Sequence, residues 1–288
     1  LFQKYRLYLE CVRMAEKEVK DIDSLIDQGL NDENSELDLR EKELDDEDLI
    51  KVLESDKIKG ITALFLEFNE IGDEGVKALA ACEKMKFLTA LNLFKNTTTD
   101  EGVKALAESK NMLNLSELIL SDNEVGVEGA KAIATSNILG NLVSLWLGDK
   151  LGDEGVKAIA TSETLTRLTQ LSLYRNDIGN EGALAIANSK NLRNLTELNL
   201  NWNFLEGEGV EYLAASENLS NLTQLTMTYN PIGWRGAEAI AGSANFRELT
   251  LLDLYETDLG DMGARALAES SNLPNLKKLV LIHNDVGD

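Results

Sequence analysis

The chain repeats itself every 27 residues along most of its length, and one leucine in each copy marks the period. Eight of the nine steps between successive copies of that leucine are 27 residues, and the step from Leu145 to Leu171 is 26. Self-similarity at a fixed period of this length is typical of stacked repeats, in which each unit buries its apolar side against its neighbours. The 288 residues therefore predict one elongated solenoid rather than two globular domains. The marker leucines are Leu37, Leu64, Leu91, Leu118, Leu145, Leu171, Leu198, Leu225, Leu252 and Leu279.

Each repeat contains two hydrophobic periods, which predict two kinds of secondary structure. The first half alternates, as at Leu91 and Leu93, and alternation predicts a short strand with one buried face. The second half, for example residues 102–107, places apolar residues at helical spacing. Parallel strands need a long crossover connection, which the helical half supplies. The prediction is an α/β horseshoe with a parallel sheet on its concave face and helices on its convex face.

Two further columns of residues recur with the same period. An asparagine follows the strand at one offset in seven of the ten repeats, where its side chain can bond the backbone of the turn. Acidic pairs such as Asp73–Glu74 precede the helix glycine, and we interpret them as solvated residues in the first turn of a helix, where the helix dipole favours negative charge. The asparagine column contains Asn69, Asn96, Asn123, Asn176, Asn203, Asn230 and Asn284.

These motifs resemble the leucine-rich repeat family, and in particular its ribonuclease-inhibitor-like subtype. The glycine-alanine helix core is also similar to the GALA-type effectors of plant-pathogenic bacteria. The resemblance covers roughly 35–288, about ten repeats, and residues 1–34 are predicted to form a helical N-terminal cap. An F-box is the alternative that GALA-type proteins imply for the N-terminal segment, but no proline-led F-box pattern is visible there. The last repeat stops before its helix, so we expect the C-terminal end to be truncated.

Composition restricts the class of partner. The formal net charge is −22, which disfavours nucleic acid and anionic membranes as ligands and is compatible with a partner that has a basic surface. The acidic stretch at 31–48 is either a solvated surface or a docking site for such a partner. No apolar run is long enough for a transmembrane helix. Two cysteines cannot form a disulfide framework, so a reducing, cytoplasmic environment is predicted.

Catalytic constellations are poorly supported by the sequence. His283 is the only histidine, and it lies in the last repeat. No zinc-ligand spacing or glycine-rich phosphate loop is present, and no pair of carboxylates stands out from the many others. We therefore predict no catalytic residue, no metal and no cofactor, and a protein that is not an enzyme. An alternative is that a catalytic domain lies outside this sequence.

The variable strand positions carry the functional prediction. In each Leu-x-Leu-x-x-Asn segment the leucines point inward and the three x positions face the concave surface, which gives three rows. In one repeat the first, second and third rows are Asn199, Asn201 and Trp202. Eight of the sixteen aromatic residues lie in these thirty positions. The concentration of aromatic residues has two explanations. One is that aromatic residues favour strands. The other is a protein-binding interface, because aromatic residues and arginine dominate interface hot spots.

Two clusters are the predicted protein-binding residues. The early cluster is Phe65, Phe68, Phe94 and Lys95. Nearby acids would receive lysine or arginine side chains of the partner by ion pairing and cation–π contact. Trp234 and Arg235 lie outside the rows and are predicted to pack in a loop or to make a contact at the rim. The late cluster is Trp146, Tyr174, Arg175, Trp202, Tyr229 and Tyr255, flanked by Asp122, Asp149, Asp253 and Glu256.

The sequence thus predicts a monomeric scaffold that binds a protein partner on its concave face. Resemblance to the GALA-type repeats implies a bacterial effector that acts on a host protein in the host cytosol. The same resemblance implies a rival function, substrate recognition for a ubiquitin ligase. Resemblance to the Ran GTPase-activating proteins, which share the ribonuclease-inhibitor-like repeat, implies another rival, regulation of a small GTPase.

Overall fold

The computed structural model describes residues 20–287, and these residues contain one parallel sheet of ten strands in sequence order. Neighbouring strands pair in a constant register that aligns the marker leucines, for example Leu64 with Leu91. The predicted leucine-rich-repeat solenoid is confirmed. The strands are β1 Glu36–Asp38, β2 Ala63–Phe65, β3 Ala90–Asn92, β4 Glu117–Ile119, β5 Ser144–Trp146, β6 Gln170–Ser172, β7 Glu197–Asn199, β8 Gln224–Thr226, β9 Leu251–Asp253 and β10 Lys278–Val280.

One helix follows each of the first nine strands, and another precedes β1. Neighbouring helices pack side by side, so that they form a second layer over the sheet. Five short 3₁₀ helices lie between some helices and the next strand: Asp56–Ile58, Glu83–Phe87, Lys110–Met112, Leu139–Asn141 and Glu217–Leu219. The α-helices are α1 Ile22–Gly29, α2 Asp46–Glu54, α3 Asp73–Ala81, α4 Asp100–Glu108, α5 Val127–Thr135, α6 Gly152–Ala160, α7 Asn180–Ala187, α8 Gly207–Ala215, α9 Gly233–Gly242 and α10 Gly260–Ala268.

The core lies between the sheet and the helices and runs the length of the solenoid. Leu91 and Leu93 of one repeat are fully buried, as are Val103 and Leu106 of its helix. A strand or helix of this length cannot bury its apolar face alone, so each repeat depends on its neighbours for stability. Leu279 in β10 is 37% exposed, because no strand beyond β10 covers it within residues 20–287.

The asparagine column bonds the turn backbone, as predicted, and also joins neighbouring repeats. The Asn123 Nδ2 atom donates to the carbonyl of Leu120 at 3.0 Å and to that of Leu93, in the preceding repeat, at 2.8 Å. Its Oδ1 atom accepts from the backbone N–H of Thr98 at 3.0 Å. These buried backbone groups would otherwise have no partner in the turn, so the asparagine satisfies both sides of a repeat boundary.

The aspartates of the acidic column lie in the first turn of their own helices, as predicted, but they are not simply solvated. Asp100 Oδ1 accepts from the N–H groups of Gly126 and Gly129, at 2.7 and 2.9 Å, and these residues begin the helix of the next repeat. A Cβ atom on Gly129 would lie 2.6 Å from Asp100 Oδ1, which explains why glycine occupies this position after an aspartate. The prediction of a solvated helix start is wrong for the aspartates because they cap the following helix. It describes exposed glutamates such as Glu101, which pairs with Lys104 at 2.8 Å.

Where the preceding repeat lacks the capping aspartate, the helix of the next repeat starts with a different backbone conformation. Val127 occupies the aspartate position before α6, and Gly152 then adopts a φ of +56° and donates its N–H to the carbonyl of Asn176 at 2.8 Å. Gly126, which Asp100 caps, has a φ of −113° instead. Only glycine enters the positive-φ region without strain, so the residue type at one position selects the backbone conformation one repeat later. Gly233 and Gly260, with φ of 63° and 57°, follow Gly207 and Trp234 in the same way.

The predicted N-terminal cap lies partly outside the described residues. Residues 20–34 contain α1, whose Ile26 is fully buried, and an antiparallel bridge between Leu30 and Leu37. The boundary at residue 34 and the truncated C-terminal end stay predictions. No helix within residues 20–287 is long and apolar enough to cross a membrane.

The acidic stretch at 31–48 is partly structural rather than simply solvated. Asp45 accepts from the N–H of Asp48 at the start of α2, and Asp46 accepts from the N–H of Gly72 in the next repeat. Asp48 is itself buried and pairs with Lys20 at 3.1 Å. The exposed acids that remain include Glu41 and others at 33, 36, 43 and 47.

Candidate binding surface on the concave sheet

The third row has a backbone conformation that periodicity alone does not reveal. All ten of its residues have a positive φ, which is 116° at Asp149 and between 51° and 59° at the other nine. The N–H of Phe68 donates to the carbonyl of Phe94 in the next repeat at 3.0 Å, so inter-repeat bonding continues beyond the strand. This left-handed conformation is unfavourable for residues other than glycine, asparagine and aspartate. Large side chains such as Trp202, which is 49% exposed, therefore lie at strained positions on the concave rim.

The late cluster contains a ladder of aromatic rings across successive repeats. The ring centroids of Trp202 and Tyr229 are 3.9 Å apart with an interplanar angle of 28°, and those of Tyr229 and Tyr255 are 5.2 Å apart. His283, which is not among the predicted residues, continues the ladder at 5.1 Å from Tyr255. The sequence could have indicated His283, because this residue occupies the third row of variable positions. A hydrogen bond to Tyr255, together with burial, raises the pKa of Tyr229 to about 12, so the Tyr229 phenol is neutral at pH 7.

Two other aromatic members of the late cluster lie away from this ladder. The guanidinium of Arg175 lies 5.8 Å from the ring centroid of Tyr174. Trp146 is 41% exposed and lines the same cavity as Phe68 and Phe94. The structure therefore places Trp146 beside the early cluster, because the curved sheet brings residues two strands apart to the walls of one depression.

Three members of the early cluster, Phe68, Phe94 and Lys95, lie together, whereas Phe65 lies beside Arg40. The rings of Phe68 and Phe94 meet edge to face, with centroids 5.3 Å apart and an interplanar angle of 74°. Lys95 Nζ lies 5.0 Å from the Phe68 ring centroid, and the Arg40 guanidinium lies 5.7 Å from that of Phe65. Beside these rings is a cavity of about 620 Å³. Its lining includes Gln28, Gly29, Asp38, Arg40, Glu41, Lys42, Glu67, Phe68, Asn92, Phe94, Ile119 and Trp146.

The acids that flank the late cluster are only partly available to a partner. Asp122 Oδ1 lies 3.6 Å from the Arg175 guanidinium, and Asp253 Oδ1 accepts from the N–H of Tyr255 at 3.1 Å. Glu256 is exposed and hydrogen-bonds Tyr229. These three carboxylates thus already have partners on the concave face.

Asp149 marks a local irregularity in the solenoid. It lies where the repeat is one residue short, which accounts for its exceptional φ. Burial, and then the negative charge of Asp122, raise the pKa of Asp149 to about 6. A groove of about 670 Å³ opens here. Asp122, Asp149, Arg175, Trp202 and Tyr229 contribute to its walls.

No group of histidine, cysteine, aspartate and glutamate side chains within residues 20–287 is arranged to hold a metal ion. Cys82 is a free thiol that is partly buried, with its sulfur 3.9 Å from the carbonyl of Leu53, and Cys11 lies outside the described residues. Arg235 pairs with Glu211 at 2.9 Å on the helical side, where Trp234 is 43% exposed.

Comparison with known proteins identifies the repeat. A family model described as "Leucine Rich repeat" matches six segments, 61–80, 84–107, 111–134, 164–187, 191–214 and 218–241. The unmatched interval between 134 and 164 contains the 26-residue repeat. A solved structure described as "Crystal structure of a TDR receptor" is 18% identical, with a TM-score of 0.45, over 87% of this chain and 47% of that one. This chain thus spans just under half of that receptor chain. None of the curated proteins matches the sequence.

Proposed function

Because this chain is a leucine-rich-repeat solenoid, and such repeats generally serve protein–protein interaction, we propose that it is a non-enzymatic scaffold that binds a protein partner on its concave face. The ladder of Trp202, Tyr229 and Tyr255 is the observation that carries the proposal. Trp202 is exposed and the two tyrosines are half-buried, so the stacked rings offer a rigid, partly apolar surface, and aromatic residues of this kind dominate interface hot spots.

Strand propensity does not account for the ladder. Trp202 and Tyr229 have φ of 56° and 55°, which is not a strand conformation, so β propensity gives no reason for aromatic residues there. Packing does not require Trp202 either, since about half of it is exposed. A large side chain at a strained and exposed position stabilises the folded chain little, which supports a role in binding.

The dimensions and the charge of the face indicate the class of partner. Ten strands at a spacing of about 4.8 Å give a concave arc of roughly 45 Å, which suits a folded protein or an extended peptide better than a small metabolite. The net charge of −22 gives the chain a negative field that speeds encounter with a basic partner.

Capture experiments with matched tryptophan variants test the proposal. The wild-type chain, Trp202→Ala with Tyr229→Ala, and Trp234→Ala would each be immobilised and exposed to a eukaryotic cell lysate, with retained proteins identified by mass spectrometry. Trp234 is 43% exposed and Trp202 49%, but Trp234 lies on a helix outside the rows, so it controls for loss of an exposed indole. A protein retained by the wild type and by Trp234→Ala, and lost by the double variant, is the expected result.

Equal retention by all three chains would overturn the concave-face assignment for the late cluster. Circular dichroism of each variant would show whether the solenoid is intact. A specific partner loses roughly 30-fold or more in affinity when one hot-spot anchor is truncated, which is about 2 kcal/mol, so the losses would be visible.

The effector, adaptor and GTPase-regulator roles are proposed from the resemblance to known repeat families alone. Delivery into a host cytosol would be tested by a translocation assay in a bacterium that has a secretion system for effectors. An adaptor role requires an F-box upstream of Leu1 and co-purification with ubiquitin-ligase subunits. A role as GTPase regulator requires stimulated GTP hydrolysis by Ran. The monomeric state is measured directly by light scattering.

A further inference from the structure

Glu67 is a buried carboxylate with one oxygen unused. It lies in the second row, is 8% exposed, and accepts from Asn92 Nδ2 through Oε1 at 2.7 Å. Asn92 Oδ1 accepts from the N–H of Phe94 at 2.9 Å, which fixes the orientation of the asparagine amide. Within residues 20–287 the Glu67 Oε2 atom has no hydrogen-bond partner.

An unused buried oxygen of this kind is energetically costly. Leaving a charged acceptor without a partner costs the desolvation free energy of that group, of the order of a few kcal/mol. Burial raises the pKa of Glu67 above its usual range, which shows the same penalty on the charged form. Other second-row positions hold Ser121, Gly148 or Thr228, so the fold does not require a carboxylate in this row.

The cavity of about 620 Å³ beside Glu67 has aromatic walls. Phe68 and Trp146 are 43% and 41% exposed, and Phe94 packs edge to face against Phe68. Arg40 also lines this cavity, but its guanidinium is engaged with Asp38, with Nε 2.9 Å from Oδ1 and Nη2 2.5 Å from Oδ2. Glu67 Oε2, a buried atom without a hydrogen-bond partner, thus belongs to a residue that lines this aromatic-walled cavity on the concave side.

We propose that the pocket formed by Glu67, Phe68, Phe94 and Trp146 receives the guanidinium of an arginine side chain of the protein partner. The inference rests on the proposed function, because it assigns one contact on the same concave face. A guanidinium can donate to Oε2 through one edge while its plane stacks on an aromatic ring. It is also more weakly hydrated than an ammonium, so it enters a half-buried apolar pocket at a lower desolvation cost.

Charge complementarity favours this occupant over an anion or a neutral side chain. With the carboxylate of Asp38 paired to Arg40, the pocket lining retains the two carboxylates of Glu41 and Glu67 against the single ammonium of Lys42, and the whole chain carries a net charge of −22. A lysine ammonium would also be attracted, but it presents a single point of charge and cannot stack a plane against Phe68 or Trp146. The geometry thus distinguishes the two cations.

The test uses the full chain and a defined probe, the capped peptide N-acetyl-Gly-Gly-Arg-Gly-Gly-amide. Titration would be followed by NMR through the Trp146 indole and the Asn92 side-chain amide. Matched peptides contain citrulline, a neutral isostere of arginine, or lysine. We expect saturable binding of the arginine peptide, no saturation by the citrulline peptide, and binding of the lysine peptide at least threefold weaker.

Two variants that remove the same charge distinguish a direct contact between the arginine and Glu67 from the general attraction of the negatively charged surface. Glu67→Gln keeps the shape and the Asn92 bond but replaces the free oxygen by a donor, so arginine binding should weaken about tenfold or more. Glu41→Gln removes the same charge from an exposed residue that lines the same pocket, and it should weaken binding less than twofold. Equal effects of the two variants, no saturable binding, or lysine binding as tight as arginine would overturn the arginine assignment.

The outcome is separable from that of the proposed function. Trp202→Ala with Tyr229→Ala lies outside the pocket and should leave arginine-peptide binding unchanged within twofold. If a captured partner is lost by that double variant while Glu67→Gln leaves arginine-peptide binding unchanged, the pocket assignment fails and the scaffold function stands. If Glu67→Gln weakens the peptide while the ladder variants retain every protein, the ladder assignment fails instead.

Discussion

Trp202 stacks on Tyr229 with ring centroids 3.9 Å apart, and both residues hold a left-handed backbone. The constant offset between repeats brings the two third-row side chains side by side, so the ladder is a direct product of the solenoid geometry. The backbone conformation that exposes the rings is the same in every repeat, whereas the residue type varies. The third row therefore combines a fixed scaffold with a variable surface.

The left-handed conformation predicts a difference between two substitutions at Trp202. Trp202→Asn and Trp202→Val both remove the ring, but only valine is β-branched and strongly disfavoured at a φ of 56°. The valine variant should have a free energy of unfolding lower than that of the asparagine variant by about 1–2 kcal/mol. Urea unfolding followed by circular dichroism measures both. Equal midpoints would show that this position relaxes to another backbone conformation without cost.

The inter-repeat cap predicts a large difference between adjacent acids. Asp100→Ala leaves the N–H groups of Gly126 and Gly129 without their acceptor, so the free energy of unfolding should fall by about 1–3 kcal/mol. Glu101→Ala removes an exposed carboxylate that pairs only with Lys104, and it should cost no more than about 0.5 kcal/mol. Chemical denaturation of both variants measures these losses. A comparable loss of unfolding free energy in each would contradict the capping role of Asp100.

Because the start of each helix depends on a residue of the preceding repeat, substitutions at Trp234 and Gly260 should have coupled effects on stability. Gly260 has a φ of +57°, so Gly260→Thr alone should lower the free energy of unfolding by about 1–3 kcal/mol. Trp234→Asp supplies the missing cap, and the native pair of Asp73 and Thr99 shows this combination, with the Thr99 N–H 2.8 Å from Asp73 Oδ1. A double-mutant cycle should therefore give a favourable coupling of about 1 kcal/mol or more. Additive effects would contradict the coupling.

The raised pKa of Asp149 predicts a pH dependence of stability. With a folded pKa of about 6 against an ordinary 3.8, the folded state holds a proton that the unfolded state has lost between about pH 4 and 6. The stability contributed by this residue is therefore present below about pH 4 and is lost as the pH rises through 6. Asp149→Asn should raise the urea midpoint at pH 7 and leave it nearly unchanged at pH 4.

Asp122→Asn provides the second arm of that experiment, because the negative charge of Asp122 is the second cause of the shift. In this background the stabilisation by Asp149→Asn at pH 7 should be smaller, since the pKa of Asp149 lies closer to its ordinary value. An Asp149→Asn effect that is the same at pH 4 and pH 7 would rule out the titration of this carboxyl as its source.

The sequence determined the architecture of this protein because a solenoid makes local pattern and global shape nearly equivalent. Each repeat contacts mainly its neighbours, so the leucine period at Leu64, Leu91 and Leu118 fixed the strand register, and the helical half fixed the crossover. The first and second rows also followed from the alternation of strand side chains, whereas Phe68 of the third row reaches Phe94 of the second through a left-handed backbone that alternation does not predict.

Only the tertiary structure decided how side chains act across repeat boundaries. The capping of Gly129 by Asp100 joins residues 29 positions apart, and a pattern within one repeat does not show which helix the carboxylate reaches. The unused oxygen of Glu67, and the placement of Trp146 beside the early cluster, likewise depend on side-chain rotamers and on the curvature of the sheet. Periodicity specifies where a residue lies on the surface, whereas hydrogen-bond partners and burial are set by neighbours in space.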